Sequence, residues 1–220
     1  MLKWYGAQDA FAAMPQRLFW GLTEPDIRRY VREGLDFLYV DNPYFNRGSR
    51  TRSFRLIRRN LHLTTMLDRP SNRRKKKYFL HLEPWRKNGK DIVIIPPSVW
   101  YERIFDCGDW LERTVKTLKM TTGRQIRVKH DKTIPLEGFL EKSWAVVTYG
   151  SVAGVEAAML GIPVFSGPIC PTLPISAGTL EQIDSPDYSD AREQWLNGLT
   201  HATWDLDEFH LINKDDYNYP

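Results

Sequence analysis

The sequence predicts an α/β protein whose C-terminal half is a Rossmann-like parallel sheet, and three observations carry that expectation. Ile92–Ile95 is an unbroken apolar run closed by Pro96 and Pro97, as a strand buried on both faces reads. Beyond it, segments of strand character alternate with helical stretches, the pattern of right-handed βαβ crossovers. Finally, Ala145–Thr148 runs into Gly150 and Ser151 and then into Val152-Ala153-Gly154, a strand, a tight turn and a helix start made of small residues.

Taken in order, the second half reads as follows. After Ile92–Ile95, residues Asp109–Met120 carry Leu111, Val115 and Leu118 at helical spacing and stop at Thr121-Thr122-Gly123. Gln125–Lys129 is a second strand and Leu136–Ser143 a short helix. Ala145–Thr148 is the third strand, Val152–Leu160 a helix ending at Gly161, and Pro163-Val164-Phe165 opens a fourth strand. The first half is less regular. Arg17–Trp20 suits a strand, and Pro25–Gly34 a helix with Thr23 as its cap and Gly34 at its end. Phe37–Val40 is a strand entering Asp41-Asn42-Pro43, and Ser53–Ile57 a further strand. Residues 60–90 show no clear pattern. The basic, polar stretch Asp68–Lys77 marks a boundary, giving a reduced lobe over 1–87 and a larger one over 88–220.

Composition excludes several classes. With 42% hydrophobic and 26% charged residues, the chain is neither disordered nor fibrous. No apolar run approaches the roughly 20 residues of a membrane-spanning helix, and the N-terminal residues lack signal-peptide character. Two cysteines, Cys107 and Cys170, make neither a disulfide framework nor a metal-ligand set, which points to a reducing cytoplasm. The net charge of +4 conceals a division. Residues 1–87 hold 19 Lys and Arg against 8 Asp and Glu, whereas residues 88–220 hold 12 against 19. A basic half beside an acidic half suits either a polyanion partner or an ordinary solvated face.

The segment Tyr149-Gly150-Ser151-Val152-Ala153-Gly154-Val155-Glu156 is the best candidate for chemistry. A helix start with small residues leaves backbone N–H groups to attract phosphate. Ser151 can cap the helix or donate its hydroxyl to a phosphate oxygen, Gly154 permits close approach, and Glu156 can accept from two ribose hydroxyls. A strand–turn–helix with a plain cap and a dipole-complementing Glu fits the same letters. The pattern is neither a dinucleotide fingerprint nor a P-loop.

From Arg127-Val128-Lys129-His130 through Trp144–Ser151 to Gly161-Ile162-Pro163-Val164-Phe165, the chain resembles the donor lobe of GT-B-type glycosyltransferases. It is most similar to capsular-polysaccharide-type transferases and related phage-encoded, DNA-modifying enzymes. The resemblance covers about residues 90–210 and implies a compact GT-B-like fold, with Lys129 and His130 facing the donor phosphates, Ser151 and the helix start binding them, and Glu156 holding the ribose; Tyr149, Gly150 and Gly154 complete the donor-binding candidates. It further implies that Thr203–Glu208 belongs to the closing helices, and that a phage-encoded enzyme would work in the host cytoplasm. His130-Asp131 replaces the family's His-Pro, and the first lobe is short for the family.

No metal-binding DxD element is evident in the donor motif, so side chains would neutralise the leaving diphosphate and no metal or further cofactor is expected beyond the nucleotide-sugar co-substrate. Asp41, at the end of a strand in the other lobe, is the candidate general base alongside His130, although Asp-Asn-Pro is also ordinary turn chemistry. Arg47, Arg50, Arg52, Arg55, Arg58, Arg59, Arg73, Arg74, Lys75, Lys76 and Lys77 interleave with aromatic residues, a pattern that suits nucleic-acid binding. The expected function is therefore sugar transfer to a hydroxyl, favouring a hydroxymethylated base in phage DNA. The alternatives are a surface-glycan transferase and a non-catalytic nucleic-acid- or nucleotide-binding protein.

Overall fold

A computed structural model describes residues 17–23, 25–45, 52–67, 77–130 and 134–212. Its C-terminal half holds a parallel sheet of four strands, β4 (Asp91–Ile95), β5 (Ile126–Val128), β6 (Ser143–Thr148) and β7 (Val164–Ser166), in the order β5-β4-β6-β7. Isoleucine and valine fill β4 because a strand covered on both faces has no polar side, and Ile92, Val93 and Ile94 are wholly buried. Helix α3 (Trp110–Thr121) places Leu111, Val115 and Leu118 against Ile92 and Ile94, as its apolar spacing requires.

The first half forms a mixed sheet. β1 (Arg17–Trp20) and β2 (Phe37–Asp41) are parallel and joined by α1 (Ile27–Glu33), a βαβ unit. β3 (Ser53–Arg58) runs antiparallel to β2, and β8 (Thr203–Asp205), from the far end of the chain, runs antiparallel to β3. The first sheet therefore draws on residues from both sides of position 87. One hydrophobic cluster joins Tyr44, Ile57 and Leu63 to Val93, Val146 and Trp195, so the two sheets share a core.

Several expectations are corrected in detail. α1 starts at Ile27 after Asp26, with no side-chain cap, so Thr23 does not cap it; Gly34 does end it, in the left-handed conformation at φ 64°. The helix expected over 136–143 is the shorter α4 (Leu136–Leu140), because Ser143 already belongs to β6. Two helices had not been anticipated, α2 (Val99–Phe105) and α6 (Arg192–His201). Thr203–Glu208 is not helical throughout: β8 leads into a 3-10 turn over Leu206–Leu211. Residues 78–90 run without strand or helix. Both cysteines are buried and free, and among the described residues no helix is long and apolar enough to cross a membrane.

Asp36, just before β2, accepts two bonds from Arg58 at 2.8 Å and one from Arg59 at 2.9 Å. The Arg58 bonds outweigh the opposing effect of burial and, with Arg59, hold the carboxyl at about 2 against an ordinary 3.8. A carboxyl depressed in the folded state stabilises above its unfolded value, and that stabilisation fades as pH falls through the folded one. Asp36→Asn should therefore cost about 1 kcal/mol at pH 7, allowing for solvent screening of a half-buried group. In thermal melts, the gap between wild type and variant should close as pH falls from about 4 to 2.

Candidate functional site at the strand ends

The chain enters the parallel sheet at β4, moves to β5 on one side, and crosses back to β6 on the other. That reversal opens a crevice beyond the C-terminal ends of β4 and β6, where open α/β sheets bind ligands. A cleft of about 870 Å³ lies there, within the usual range for small-molecule sites. Its walls come from Pro96–Tyr101 after β4, Lys129 and His130 after β5, and Gly150–Ala153 after β6 with Glu156. Asp41, Asn42, Arg55 and His62 close it from the first sheet.

Hydrogen bonds fix these segments to one another. The Thr148 hydroxyl donates to the Ile95 carbonyl at 2.9 Å and accepts from the Ser151 N–H at 3.4 Å, tying the exits of β4 and β6 together. The Lys129 N–H donates to Ile94 O, which holds the exit of β5. Gly150 has no room for a side chain: a Cβ there would stand 2.8 Å from the Tyr101 ring and 2.9 Å from Ile169. The turn thus needs glycine for close packing against α2.

Of the donor residues expected from sequence, Lys129, His130, Gly150, Ser151 and Glu156 line the cleft. Lys129 Nζ donates to Ile134 O at 2.9 Å and lies 5.2 Å from the Phe139 ring. Ser151 Oγ accepts from the Ala153 N–H at 3.2 Å, and its carbonyl accepts from the Gly154 N–H. Ser151 thus engages two N–H groups at the start of α5 (Ala153–Met159) that the sequence left open for phosphate, but the N-cap of that helix is Val152, one residue later than expected. Gly154 and Tyr149 stand apart from the cleft. Gly154 is a packing glycine, with Thr148, Thr172 and Cys170 some 3.3–3.4 Å from where its Cβ would be. Tyr149 stacks edgewise on Trp110 and tilts against Phe105; burial first, then Cys107, pushes its phenol up to about 12.

On the opposite wall, Asp41 accepts from Tyr39 OH at 2.7 Å and Arg55 Nη2 at 2.8 Å through Oδ2, and from the Asn42 N–H at 2.7 Å through Oδ1. Arg55 is only 3% exposed. Its Nε donates to Leu61 O and its Nη1 to Asn42 O, while its guanidinium lies over the rings of Tyr39 and Tyr44 at 5.4 and 5.5 Å. Burial would lower the Arg55 pKa, but Asp41 and the surrounding phenols outweigh it and raise it. The Tyr44 phenol, pushed up to about 12 by burial, accepts from the Leu63 N–H at 2.8 Å. Beside this cluster, buried His62 shares a 2.7 Å hydrogen bond between Nε2 and Tyr101 OH.

Arg55 is thus corrected from a solvent-facing nucleic-acid contact to a buried partner of Asp41. The other described residues of the expected nucleic-acid set are paired as well. Arg52 meets Asp207, Arg58 and Arg59 meet Asp36, and Lys77 meets Asp205 and Glu208. Arg47, Arg50, Arg73, Arg74, Lys75 and Lys76 lie outside the described residues. Sequence reading named Arg55 for a nucleic-acid face and not for this cleft, and it missed His62 and Tyr101. The one available signal for Arg55 was a charged side chain flanked by Phe54, Leu56 and Ile57 in a strand otherwise bound for the core.

Among the described residues, no group of three or more His, Cys, Asp and Glu side chains is placed to hold a metal ion. Comparison of the chain with protein-family models, curated proteins and solved structures finds no match.

Removing one partner of a buried ion pair leaves the other charge uncompensated. Arg55→Ala should therefore cost about 3–5 kcal/mol in urea unfolding. Arg52→Ala, whose pair with Asp207 is largely exposed, should change stability by no more than about 0.5 kcal/mol.

Proposed function

We propose that the chain is a GT-B-like glycosyltransferase moving a sugar from a nucleotide-sugar donor to a hydroxyl. The observation that carries this reading is the convergence of Lys129, His130, Ser151 and Glu156 with Asp41 on one cleft at the switch point of a parallel sheet. Lys129 supplies positive charge and His130 a ring N–H donor where a diphosphate departs, the electrostatic help such a step requires. Glu156 offers two acceptor oxygens to a ribose. In the transfer, the bond from the anomeric carbon to the diphosphate oxygen breaks with its electron pair leaving on the diphosphate. The acceptor oxygen bonds to that carbon and its proton passes to Asp41. Oδ1 of Asp41 accepts one hydrogen bond and so has a lone pair for this proton, while Tyr39 and Arg55 occupy Oδ2.

A hydroxymethylated base in DNA is the acceptor we propose within this reading, on the strength of the basic segments 47–59 and 73–77. The described members of those segments are engaged by carboxylates, two of them, Arg52 and Arg59, through largely exposed guanidinium groups whose pairs contribute little and can be displaced by a phosphate.

Asp41→Asn should leave nucleotide affinity nearly unchanged and lower turnover by about 10²-fold or more. Because Asn leaves Arg55 without its counter-charge, the assay belongs well below the variant's melting temperature. Glu156→Ala should weaken nucleotide binding by roughly 1.5–3 kcal/mol by calorimetry. Near-normal turnover in Asp41→Asn removes it as the base, and unchanged affinity in Glu156→Ala removes the ribose contact. For the acceptor, mass spectrometry of nucleosides from hydroxymethylated DNA incubated with nucleotide sugars should show a sugar adduct. Transfer to a glycan with no nucleoside adduct would assign the acceptor to surface polysaccharide.

A further inference from the structure

The cleft has an apolar lip that the transfer chemistry leaves unused. Val99, Trp100 and Ile134 are 56%, 42% and 44% exposed, and all three line the cleft. Large apolar side chains at such exposure lose the benefit of burial, and their gathering at the rim of a concave site marks a ligand-facing surface. Strand order explains their proximity. Val99 and Trp100 open α2 directly beyond β4, and Ile134 follows the exit of β5, the strand beside it.

Trp100 is also held in place. Ser98 Oγ accepts from the Tyr101 N–H and caps the helix that carries it. Tyr101, the next residue, is buried and bonded through its hydroxyl to His62. The Arg103 guanidinium lies over the indole at 5.4 Å. An exposed ring fixed on a capped, anchored helix is a preorganised stacking platform, and less ordering entropy is lost when a flat partner settles on it.

From this geometry we infer that Trp100, with Val99 and Ile134, forms the subsite for the base ring of a nucleoside phosphate. The occupant must combine a flat apolar ring with an anionic group, because the lip adjoins Lys129, whose ammonium is bonded to the carbonyl of Ile134 itself, and His130 of the same cleft. Stacking accepts any base, since each presents a π face, so the subsite should favour nucleotides as a class without selecting one base.

The inference rests on the nucleotide-donor reading, and calorimetry with three probes separates the two. Wild type, Trp100→Ala and Trp100→Phe are titrated with UDP, ADP and inorganic pyrophosphate, with thermal melts confirming that each variant is folded. Trp100→Ala should weaken UDP and ADP about tenfold or more and leave pyrophosphate within about twofold, while Trp100→Phe should retain most of the nucleotide affinity. Nucleotide binding that Trp100→Ala leaves unchanged would overturn the subsite and leave the donor reading intact. An equal loss for pyrophosphate would likewise overturn it, by showing that the indole supports the cleft rather than a base. Failure of wild type to bind UDP or ADP at millimolar concentration would overturn both.

Discussion

A guanidinium buried without a counter-charge would cost this protein several kcal/mol, and the architecture around Arg55 answers that cost. Asp41 neutralises it, Leu61 and Asn42 carbonyls accept from it, and Tyr39 and Tyr44 present ring faces to it. Arg55 itself lies on β3, and its partners come from β2, from the segment that follows β2 and from the segment that follows β3, so one side chain fixes how the strand ends meet the cleft. The arrangement also orients the Asp41 carboxylate. With Oδ2 turned to Tyr39 and Arg55, Oδ1 is the oxygen left with capacity for a further partner.

The uneven distribution of charge has a structural role alongside any polyanion partner. Arg28 and Arg32 reach Asp106, Arg52 reaches Asp207, and Lys77 reaches Asp205 and Glu208. In each case a basic residue of the first half meets an acidic residue of the second. Most of these pairs are exposed and individually weak, yet each favours the docking of one half on the other over a mispaired arrangement.

The parallel sheet was legible because its strands are covered on both faces and so read as unbroken apolar runs, Ile92–Ile95 above all. Helix α3 was legible because Leu111, Val115 and Leu118 recur at helical spacing. Helix α2 was hidden by Pro96-Pro97 before it and by its length of seven residues, too short for a period to emerge. β8 was hidden because pairing with β3 is a tertiary event that a three-residue segment cannot announce. Lys129, His130, Ser151 and Glu156 were singled out by their places at strand ends and by the resemblance to a GT-B donor lobe, and the structure brings them together with Asp41 on one cleft. Arg55 was assigned to the wrong environment because charge predicts exposure unless a partner is known. The partner here is fourteen residues away and the enclosing tyrosines sit on neighbouring segments.

The pairing of β8 with β3 bears on how the molecule can be made. Ser53 and Asp205, bonded through their side chains, are separated by 152 positions, so closing this contact carries a large loop entropy and raises the contact order. A ribosome that has released the first sheet's other three strands still holds back the fourth. Until Thr203–Asp205 emerges, the outer edge of β3 displays unpaired backbone groups beside Phe54, the kind of edge that templates intermolecular pairing. Expression as a 1–87 fragment would make that transient edge permanent. The sheet thus spans the boundary that composition draws at position 87, and the nascent chain exposes an unpaired edge in the interval before its last strand arrives.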